Sequence, residues 1–247
     1  MSTSPAVNLP AELNLELREG ELNVAAHRRA ANSASVWIAN AEQQGETACR
    51  LASGILDASE QQKAAAIRQE PNRVSYVVAH VALRLLLGSF LDIPAAAVRF
   101  TREDCPKCGS PHGRPATEGG GVHFSLSHSG SISLLALADS PVGIDVEKIP
   151  QLDTAREVGA RLHPAEQAEL AAASDDAKPL VFARTWARKE AYLKGIGIGL
   201  ARDFSLDHVG AGPAPASAPR GWRLRDVPVP AGYAGAVAER RPSPKAA

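Results

Sequence analysis

Apolar residues show a clear helical spacing in residues 73–91 of the chain. The residues on this spacing are Val77, Val78, Val81, Leu85 and Leu86. They predict a largely buried helix, which ends at the Asp-Ile-Pro sequence of residues 92–94. Residues 57–70 are mostly helix formers and are separated from this stretch by Pro71, so an earlier helix is predicted there.

Short apolar and alternating runs, which are typical of strands, follow this helical region. A short strand is predicted at residues 98–101, and residues 105–121 form a loop rich in glycine and proline. Three further runs, at residues 123–127, 132–138 and 142–146, have turn residues between them. These runs predict a small meander of three strands.

The second half of the chain repeats this order of helices followed by strands. The predicted elements are helices at 164–172 and 177–194, strands at 204–209 and 222–227, and a loop at 212–219. Glycines at positions 195, 197 and 199 halt the second helix, and the residues from Glu239 onward look frayed. Few strands alternate singly with helices, which favours an α+β protein of two similar halves, 1–141 and 142–247, over one doubly wound sheet.

Composition restricts the classes of function. The 247 residues are 45% hydrophobic, which is enough to bury a core, and the 27 basic side chains balance the 27 acidic ones. No overall field therefore favours a nucleic acid or an anionic membrane as partner. The start of the chain lacks a signal-peptide pattern, and no stretch reaches the roughly 18 to 20 apolar residues of a membrane span, so the expected location is cytoplasmic. Three cysteines agree with a reducing compartment.

Two carboxylates lie two residues apart in the predicted strand that contains Asp145 and Glu147. On an extended chain, both side chains project from the same face. Together they can hold Mg²⁺ through oxygen and leave positions for water and substrate phosphates. An isolated Asp-x-Glu pair is more often a pair of ordinary solvated acids at the end of a strand, so this motif alone is a weak signal.

Glu190 and Lys194 lie one turn apart on the predicted helix, at the border of an apolar stripe that includes Trp186. The alternative interpretation is a surface ion pair worth about 0.3 to 0.5 kcal/mol. If Glu190 faces Asp145 and Glu147, three carboxylates converge and repel one another unless a cation neutralises them.

Two hydroxyl groups, those of Ser127 and Ser129, stand beside the imidazole of His128 where a predicted strand runs into a turn. A hydrolase nucleophile is not supported here, because neighbouring residues of a strand point to opposite faces and no G-x-S-x-G elbow is present. Phosphate binding through Ser127 or His128 suits the pattern better. The simple alternative is that these residues cap a strand.

A cysteine pair, Cys105 and Cys108, stands shortly before His112 and Arg114 in the predicted loop. Two cysteines and a histidine resemble half of a zinc knuckle, but a structural zinc site normally has four ligands. A redox dithiol is less favoured, because the motif lies in a loop and not at the start of a helix. Arg114 can reach a phosphate with its fork of donors.

The order and spacing of four motifs closely resemble the Sfp-type 4′-phosphopantetheinyl transferases. The motifs are Gly113-Arg114-Pro115, Phe124 with Ser127-His128-Ser129, Gly143-Ile144-Asp145-Val146-Glu147, and Trp186 with Lys189-Glu190 and Lys194. The resemblance implies a monomer of two pseudo-symmetric halves, each a small, mostly antiparallel sheet packed with helices, with the active site at their interface. It implies an enzyme of the holo-[acyl-carrier-protein] synthase type, which moves phosphopantetheine from coenzyme A to a carrier-protein serine.

The same resemblance assigns roles to individual residues. Asp145, Glu147 and Glu190 would hold Mg²⁺ at the pyrophosphate of coenzyme A, and Glu190 would also be a candidate base. Lys194 would act on the phosphates during catalysis. The residues that match positions for binding coenzyme A are Arg73, Arg114, Ser127, His128, Lys189 and Lys194.

Two other functions stay open from the sequence. One is a Mg²⁺-dependent phosphoryl or nucleotidyl transferase that uses another donor, and the other is a non-catalytic zinc or interaction module built around residues 105–115. For the phosphopantetheinyl transferase that the resemblance implies, the partners would be acyl or peptidyl carrier proteins of fatty acid, polyketide or nonribosomal peptide synthesis. Leu162 and Leu170 are predicted to contact the helix of the carrier protein.

Overall fold

The computed structural model describes residues 14–17, 33–198, 202–216, 219 and 221–241. The strands are β1 (Ser35–Asn40), β2 (Phe100–Arg102), β3 (Pro115–Thr117), β4 (His123–Ser129), β5 (Ile132–Ala138), β6 (Val142–Lys148), β7 (Trp222–Val227) and β8 (Tyr233–Arg240). The helices are α1 (Ala41–Ile55), α2 (Ala58–Ala66), α3 (Glu70–Leu91), α4 (Leu152–Gly159), α5 (Pro164–Ala172) and α6 (Lys178–Ile196).

Two three-stranded antiparallel sheets carry the fold. The first has the order β1-β5-β4 and the second the order β6-β8-β7, while β2 and β3 form a separate pair. Apart from the β2–β3 pair of the first half, each half runs through one strand, three helices and a closing pair of strands, and its last strand lies at the centre of its sheet. The α+β architecture predicted from the sequence is confirmed. On this repeated order, we propose a boundary between the halves at residues 141 and 142.

Alternation along the strands decides which face each residue covers. In β1, Trp37 and Ala39 pack into an apolar cluster with α3, whereas Val36 and Ile38 face the second sheet. In β8, Val237 packs in the cluster between the sheets, and its neighbours pack against α6. The two sheets therefore lie face to face, with α3 covering the outer side of the first and α6 that of the second.

The close packing of α6 on β6 depends on Gly143. A Cβ added there would lie 2.0 Å from the carbonyl oxygen of Ala191 and 2.4 Å from the amide nitrogen of Gly195. Both obstacles are backbone atoms of α6, which cannot move aside like a flexible side chain. This missing side chain lets the helix approach the strand that carries Asp145.

Helices α2 and α3 begin and end at recognisable signals. Asp57 caps α2 in a reciprocal capping box with Glu60, and α3 begins around Pro71. Proline thus starts α3 instead of ending the preceding helix, which stops earlier, at Ala66. Asp92 adopts the left-handed conformation (φ 56°) that ends α3, as the Asp-Ile-Pro sequence predicted.

Helix α3 is long and apolar enough to cross a membrane by length and composition, contrary to the prediction that no segment reaches that length. The most apolar window of the helix is 61% buried inside the protein. A core helix passes the same test, so this feature is weak evidence for a membrane span.

Three details of the predicted strands are wrong. Strand β6 does not continue a meander after β4 and β5 but pairs with β8 in the other sheet. Residues 204–209 form a turn and bends and no strand, and the backbone carbonyls of Phe204 and Asp207 accept hydrogen bonds from the buried Lys189. The segment at Glu239 is not frayed but paired in β8, with the Glu239 side chain buried.

Some predictions fall outside the described residues or missed whole elements. Gly199 lies outside them, and Gly197, with φ at 76°, is the residue that ends α6. Strand β5, helix α5 and strand β7 have the predicted bounds. The elements that the sequence patterns did not predict are β1, α1, β3, α4 and β8.

Candidate active site

Strand β6 and helix α6 together position the four charged residues predicted from the sequence. Asp145 and Glu147 alternate with Ile144 and Val146, which fill the cluster between the sheets, so both carboxylates face α6. Glu190 lies on α6, close enough for its charge to affect the pKa of Glu147. The charge of Asp145 affects the pKa values of both Glu147 and Glu190. Glu190 and the Asp145–Glu147 pair, which are distant in sequence, share one region of the structure.

Asp145 is the most buried of the three carboxylates, at 2% exposure. Its Oδ1 accepts hydrogen bonds from the Ser127 hydroxyl at 2.7 Å and from the Lys194 ammonium at 2.7 Å. Its Oδ2 is also buried but has no hydrogen-bond partner among the described residues. A buried carboxylate oxygen without a partner is costly, and a cation beside it removes that cost.

The electrostatics of the cluster disfavour three ionised carboxyl groups. Burial, followed by the charges of Asp145 and Glu190, raises the pKa of Glu147 to about 7. Burial and the Asp145 charge also raise the pKa of Glu190. Burial raises the pKa of Asp145, although Lys194 and the Ser127 hydroxyl oppose this effect. A cation bound among these carboxyl groups would favour the ionised form of each.

A cavity of about 770 Å³ opens beside the carboxylates at the junction of the two halves. Lys194 lies in its wall, as do Val142 and Gly197 of the second half. The rest of the wall comes mainly from the first half of the chain, including Arg114. The three carboxylates do not line the cavity, but Lys194 contacts Asp145 at 2.7 Å and so connects the cluster to the cavity.

Arg114 is held in the cavity wall from both sides. Its guanidinium donates to the Glu103 carboxylate in the first half and, at 2.6 Å, to the backbone carbonyl of Gly195 near the end of α6. Its Nε is buried and has no partner among the described residues. This oriented cation, with one N–H unused, suits an oxyanion in the cavity.

The other residues predicted to bind a cofactor are divided by the structure. Ser127 lies in the cluster, where its hydroxyl donates to Asp145. Burial lowers the pKa of the His128 imidazole, and the nearby His80 and Lys194 lower it further. Arg73 reaches back to the Ile67 carbonyl at 3.5 Å and is not among the residues that line the cavity.

Lys189 faces away from the cavity, which corrects the prediction that it binds the cofactor. Its ammonium is buried and contacts the Glu166 carboxylate at 2.7 Å and the Phe204 carbonyl at 2.8 Å. Burial lowers the pKa of Lys189, and Glu166 opposes this shift. Lys189 therefore holds α5 and the turns after α6 against the helix.

The prediction that Leu162 and Leu170 contact a carrier protein is also wrong. Leu162 is 0% exposed and Leu170 is 6% exposed, because both pack in a small apolar cluster with Ala155 and Phe182. These side chains belong to the core, where a partner cannot reach them.

The sequence did not point to three other residues that line the cavity, namely Lys63, His80 and Arg102. Isolated basic residues on a helix or at a strand end carry no spacing that distinguishes them from solvated residues.

A second feature that the sequence did not reveal is the role of alternate serines in β4. Ser125 and Ser129 accept hydrogen bonds from the backbone amides of Ile144 and Lys148, so β4 is tied along β6.

This arrangement defines an α+β protein in which two halves, each with an antiparallel sheet, bring a carboxylate cluster close to a cavity lined by Arg114 and Lys194. Residues 141–234 match the family model of the 4′-phosphopantetheinyl transferase superfamily. The segment contains the three carboxylates and Lys194. Through this segment, which is less than half of the chain, the protein is similar to that superfamily.

Relatives with the same description match parts of the chain. The 4′-phosphopantetheinyl transferase gsp of Aneurinibacillus migulanus is 29% identical over 136 residues, which cover 51% of this chain and 54% of that protein. HetI of a Nostoc species is 33% identical over 122 residues, with 49% and 50% covered. Sfp of Bacillus subtilis is 34% identical over 80 residues, with 32% and 35% covered. The chain thus spans about half, or less, of the length of these relatives.

Proposed function

We propose that this protein is a 4′-phosphopantetheinyl transferase, which moves phosphopantetheine from coenzyme A to a serine of an acyl or peptidyl carrier protein and releases 3′,5′-ADP. The observation that carries the proposal is that Lys194 contacts Asp145 at 2.7 Å and that the charges of Asp145, Glu147 and Glu190 lie near enough to influence one another. Lys194 also lines the large cavity. Cation ligands and a phosphate site thus adjoin, as phosphoryl transfer requires.

The carboxylate set fits a hard divalent cation such as Mg²⁺. All three ligands offer oxygen, and the buried Asp145 Oδ2 has no other partner in the described part of the chain. Asp145, Glu147 and Glu190 would hold the ion. When bound, Mg²⁺ supplies positive charge that stabilises negative charge on the phosphoryl oxygens.

The cavity is the proposed site for coenzyme A. Its volume of about 770 Å³ lies within the range of about 300–1,000 Å³ that cofactor pockets have. Arg114 offers its unused Nε to a phosphate, and Lys194 stands where the cavity meets the carboxylates. The phosphates are therefore oriented with the pantetheine-bearing phosphorus toward the carboxylate cluster, near Ser127 and His128.

Glu190 is the proposed base for the carrier serine. Burial raises its pKa, which brings this carboxylate closer to the range in which a base accepts a proton near neutral pH. Glu190 takes the proton as the serine oxygen forms a bond to phosphorus, and the bond from phosphorus to the oxygen of 3′,5′-ADP breaks. Lys194 remains beside the phosphoryl oxygens while their charge grows.

We further propose that the protein acts as a monomer. The carboxylates, Lys194 and the cavity wall all come from one chain, and both halves contribute to them. Assembly of the site needs no residue from a second copy.

The test is transfer of phosphopantetheine to purified apo carrier proteins in the presence of coenzyme A and Mg²⁺, followed by intact mass. Asp145→Asn and Glu190→Gln are expected to lower the rate by at least about 100-fold, the scale on which a positioned acid or base contributes. Circular dichroism checks that both variants fold. Glu157→Gln, which changes an exposed carboxylate on α4, should retain full activity.

Two results would overturn the proposal. One is transfer at the wild-type rate by both cluster variants. The other is failure of the wild-type protein to modify any of several fatty acid, polyketide and peptide carrier proteins while it turns over a different phosphate donor with Mg²⁺. The second result would support the phosphoryl or nucleotidyl transferase that the sequence left open.

A further inference from the structure

The loop between β2 and β3 brings two cysteines and a histidine together apart from the carboxylate cluster, and the histidine, His112, also lines the cavity. One ligand atom each from Cys105, Cys108 and His112 lies within 4.8 Å of the other two. The Cys108 sulfur and the His112 Nε2 are 3.0 Å apart. Among the described residues, no other group of three histidine, cysteine or acidic side chains brings its ligand atoms this close together.

Backbone hydrogen bonds fix this arrangement independently of any ion. The Gly109 amide donates to the Cys105 carbonyl, and the Cys105 amide donates to the Ser110 carbonyl, both at 2.8 Å. Gly109 has a φ of 73°, which a residue with a side chain rarely adopts, so the turn after Cys108 needs glycine. The His112 amide also donates to the Ser110 carbonyl, which turns the imidazole back toward the sulfurs. The fold therefore prepares the three ligand positions.

The chemistry of this set differs from that of the carboxylate cluster. Two thiolates and one imidazole are the ligands that Zn²⁺ prefers, whereas Mg²⁺ prefers oxygen. Cys108 and His112 are exposed, so an ion from solvent can reach them, and Cys105 is buried at the base of the turn. Three protein ligands leave one tetrahedral position for water.

We propose that Cys105, Cys108 and His112 bind one Zn²⁺ ion, which fixes the loop that carries Arg114. Only Gly113 separates His112 from Arg114, and its amide donates to the Glu103 carbonyl at 2.8 Å. The Glu103 amide in turn donates to the Arg114 carbonyl at 2.9 Å. An ion at one end of this short ladder therefore restrains the backbone that holds the arginine in the cavity wall.

Metal analysis of the purified full-length protein tests the binding. We expect close to one Zn²⁺ per chain by elemental analysis after dialysis under reducing conditions. After removal of the metal, addition of Co²⁺ should give thiolate-to-cobalt charge-transfer absorption in the near ultraviolet and strong tetrahedral bands in the visible. Absence of both zinc and this cobalt spectrum in the reduced protein would refute the site.

Variants assign the ligands. Cys108→Ser and His112→Ala change exposed residues, so they should fold normally and yet lose zinc and most of the cobalt absorption. Cys49→Ser is the matched control, because Cys49 is an exposed cysteine on α1 and should leave both signals unchanged. Retention of full zinc content by the Cys108 and His112 variants would contradict the assignment. So would a stable Cys105–Cys108 disulfide in protein purified with a reductant, detected by alkylation and mass analysis.

Hydrogen exchange tests the effect on the loop without any reference to enzyme activity. Amides of residues 103–114 should exchange at least several-fold more slowly in the zinc-loaded protein than in the metal-free protein. Amides of α1, which is remote in sequence from the loop, serve as the internal reference. Equal exchange of the loop amides in both forms would show that bound zinc does not restrain Arg114.

Discussion

Glu147 lies in a position where its ionisation opposes folding. The burial of its carboxyl group and the charges of Asp145 and Glu190 favour the protonated form, whereas Lys194 and a hydrogen bond from Trp186 favour the ionised form. The first group of effects dominates, so the pKa rises from 4.5 to about 7. The folded protein therefore retains a proton on Glu147 that the unfolded chain releases at lower pH.

The first prediction follows from this raised pKa. The favourable contribution of protonated Glu147 is complete below about pH 4.5 and is lost as pH rises to about 7, because the unfolded state ionises first. Glu147→Gln cannot ionise and should escape this loss. Urea titrations without divalent cations should show the variant gaining on the wild type by on the order of 1 kcal/mol between pH 4.5 and 7.5, a value reduced for solvent screening. Parallel stability curves would contradict the assigned pKa, and Mg²⁺ should restore the wild type at pH 7.5.

Sequence reasoning at the scale of residues succeeded where spacing carries information. The alternation of Asp145 and Glu147 placed both on one face, and the helical spacing of Glu190 and Lys194 placed them on one border. Sequence reasoning failed for Lys189. This residue is next to Glu190 in the sequence, but its side chain leaves the helix about 100° around the axis from that of Glu190. Only the tertiary structure reveals that this rotation points its ammonium at Glu166.

Helix α6 and strand β6 meet so closely that a single methyl group decides whether they fit. A Cβ on Gly143 would overlap two backbone atoms of α6, at 2.0 and 2.4 Å. The helix would have to move away from the strand, and Glu190 and Lys194 would move with it. The precision of the carboxylate cluster therefore depends on this glycine as well as on the acids.

Gly143→Ala is expected to destabilise the protein by at least about 2 kcal/mol, since overpacking against backbone has no inexpensive relaxation. Chemical denaturation measures the effect. Gly54→Ala is the matched control: it lies on the exposed side of α1, and a Cβ there meets nothing within 4 Å. This control should be neutral or stabilising by up to about 1 kcal/mol. Equal stability of the two variants would show that α6 tolerates the displacement.

The elements predicted well from the sequence are those whose ends are marked by local sequence signals, such as turn residues or a helix cap. Strand β5 is buried on both faces and bounded by turn residues, and α5 begins at His163 and Pro164 with a capping box. Strand β8 was missed because its alanines and glycine are weak strand formers. Its apolar neighbours on both faces, in the two clusters that cover it, make it a central strand. Tertiary packing overrides local preference there.

The two halves of the molecule share one apolar cluster and so depend on each other. Among the residues that the structure describes, this cluster has 13 buried side chains, including Val36 and Leu134 from the first half and Ile144 and Val237 from the second. Exposing even half of these residues costs about 10 kcal/mol, at about 1.5–3 kcal/mol for each larger side chain. That is comparable with the whole stability of a typical domain.

We therefore predict that the halves unfold together. Trp37 reports on the first half and Trp222 on the second, because each is buried in a different apolar cluster. Variants that keep only one of these tryptophans, with the others changed to phenylalanine, should give urea midpoints that coincide with each other by fluorescence and with far-ultraviolet circular dichroism. Two separate midpoints would show that one half is stable alone.

Lys194 lies 2.7 Å from Asp145 and at the same time in the wall of the cavity. One ammonium group therefore responds to charge in two places. An anion that enters the cavity draws Lys194 toward itself and leaves Asp145 more negative, which increases the attraction of a cation to the carboxylates. Thermodynamic linkage makes this effect mutual, so the cation strengthens anion binding by the same factor. The two ligands are expected to bind cooperatively, with neither held at full strength until the other is present.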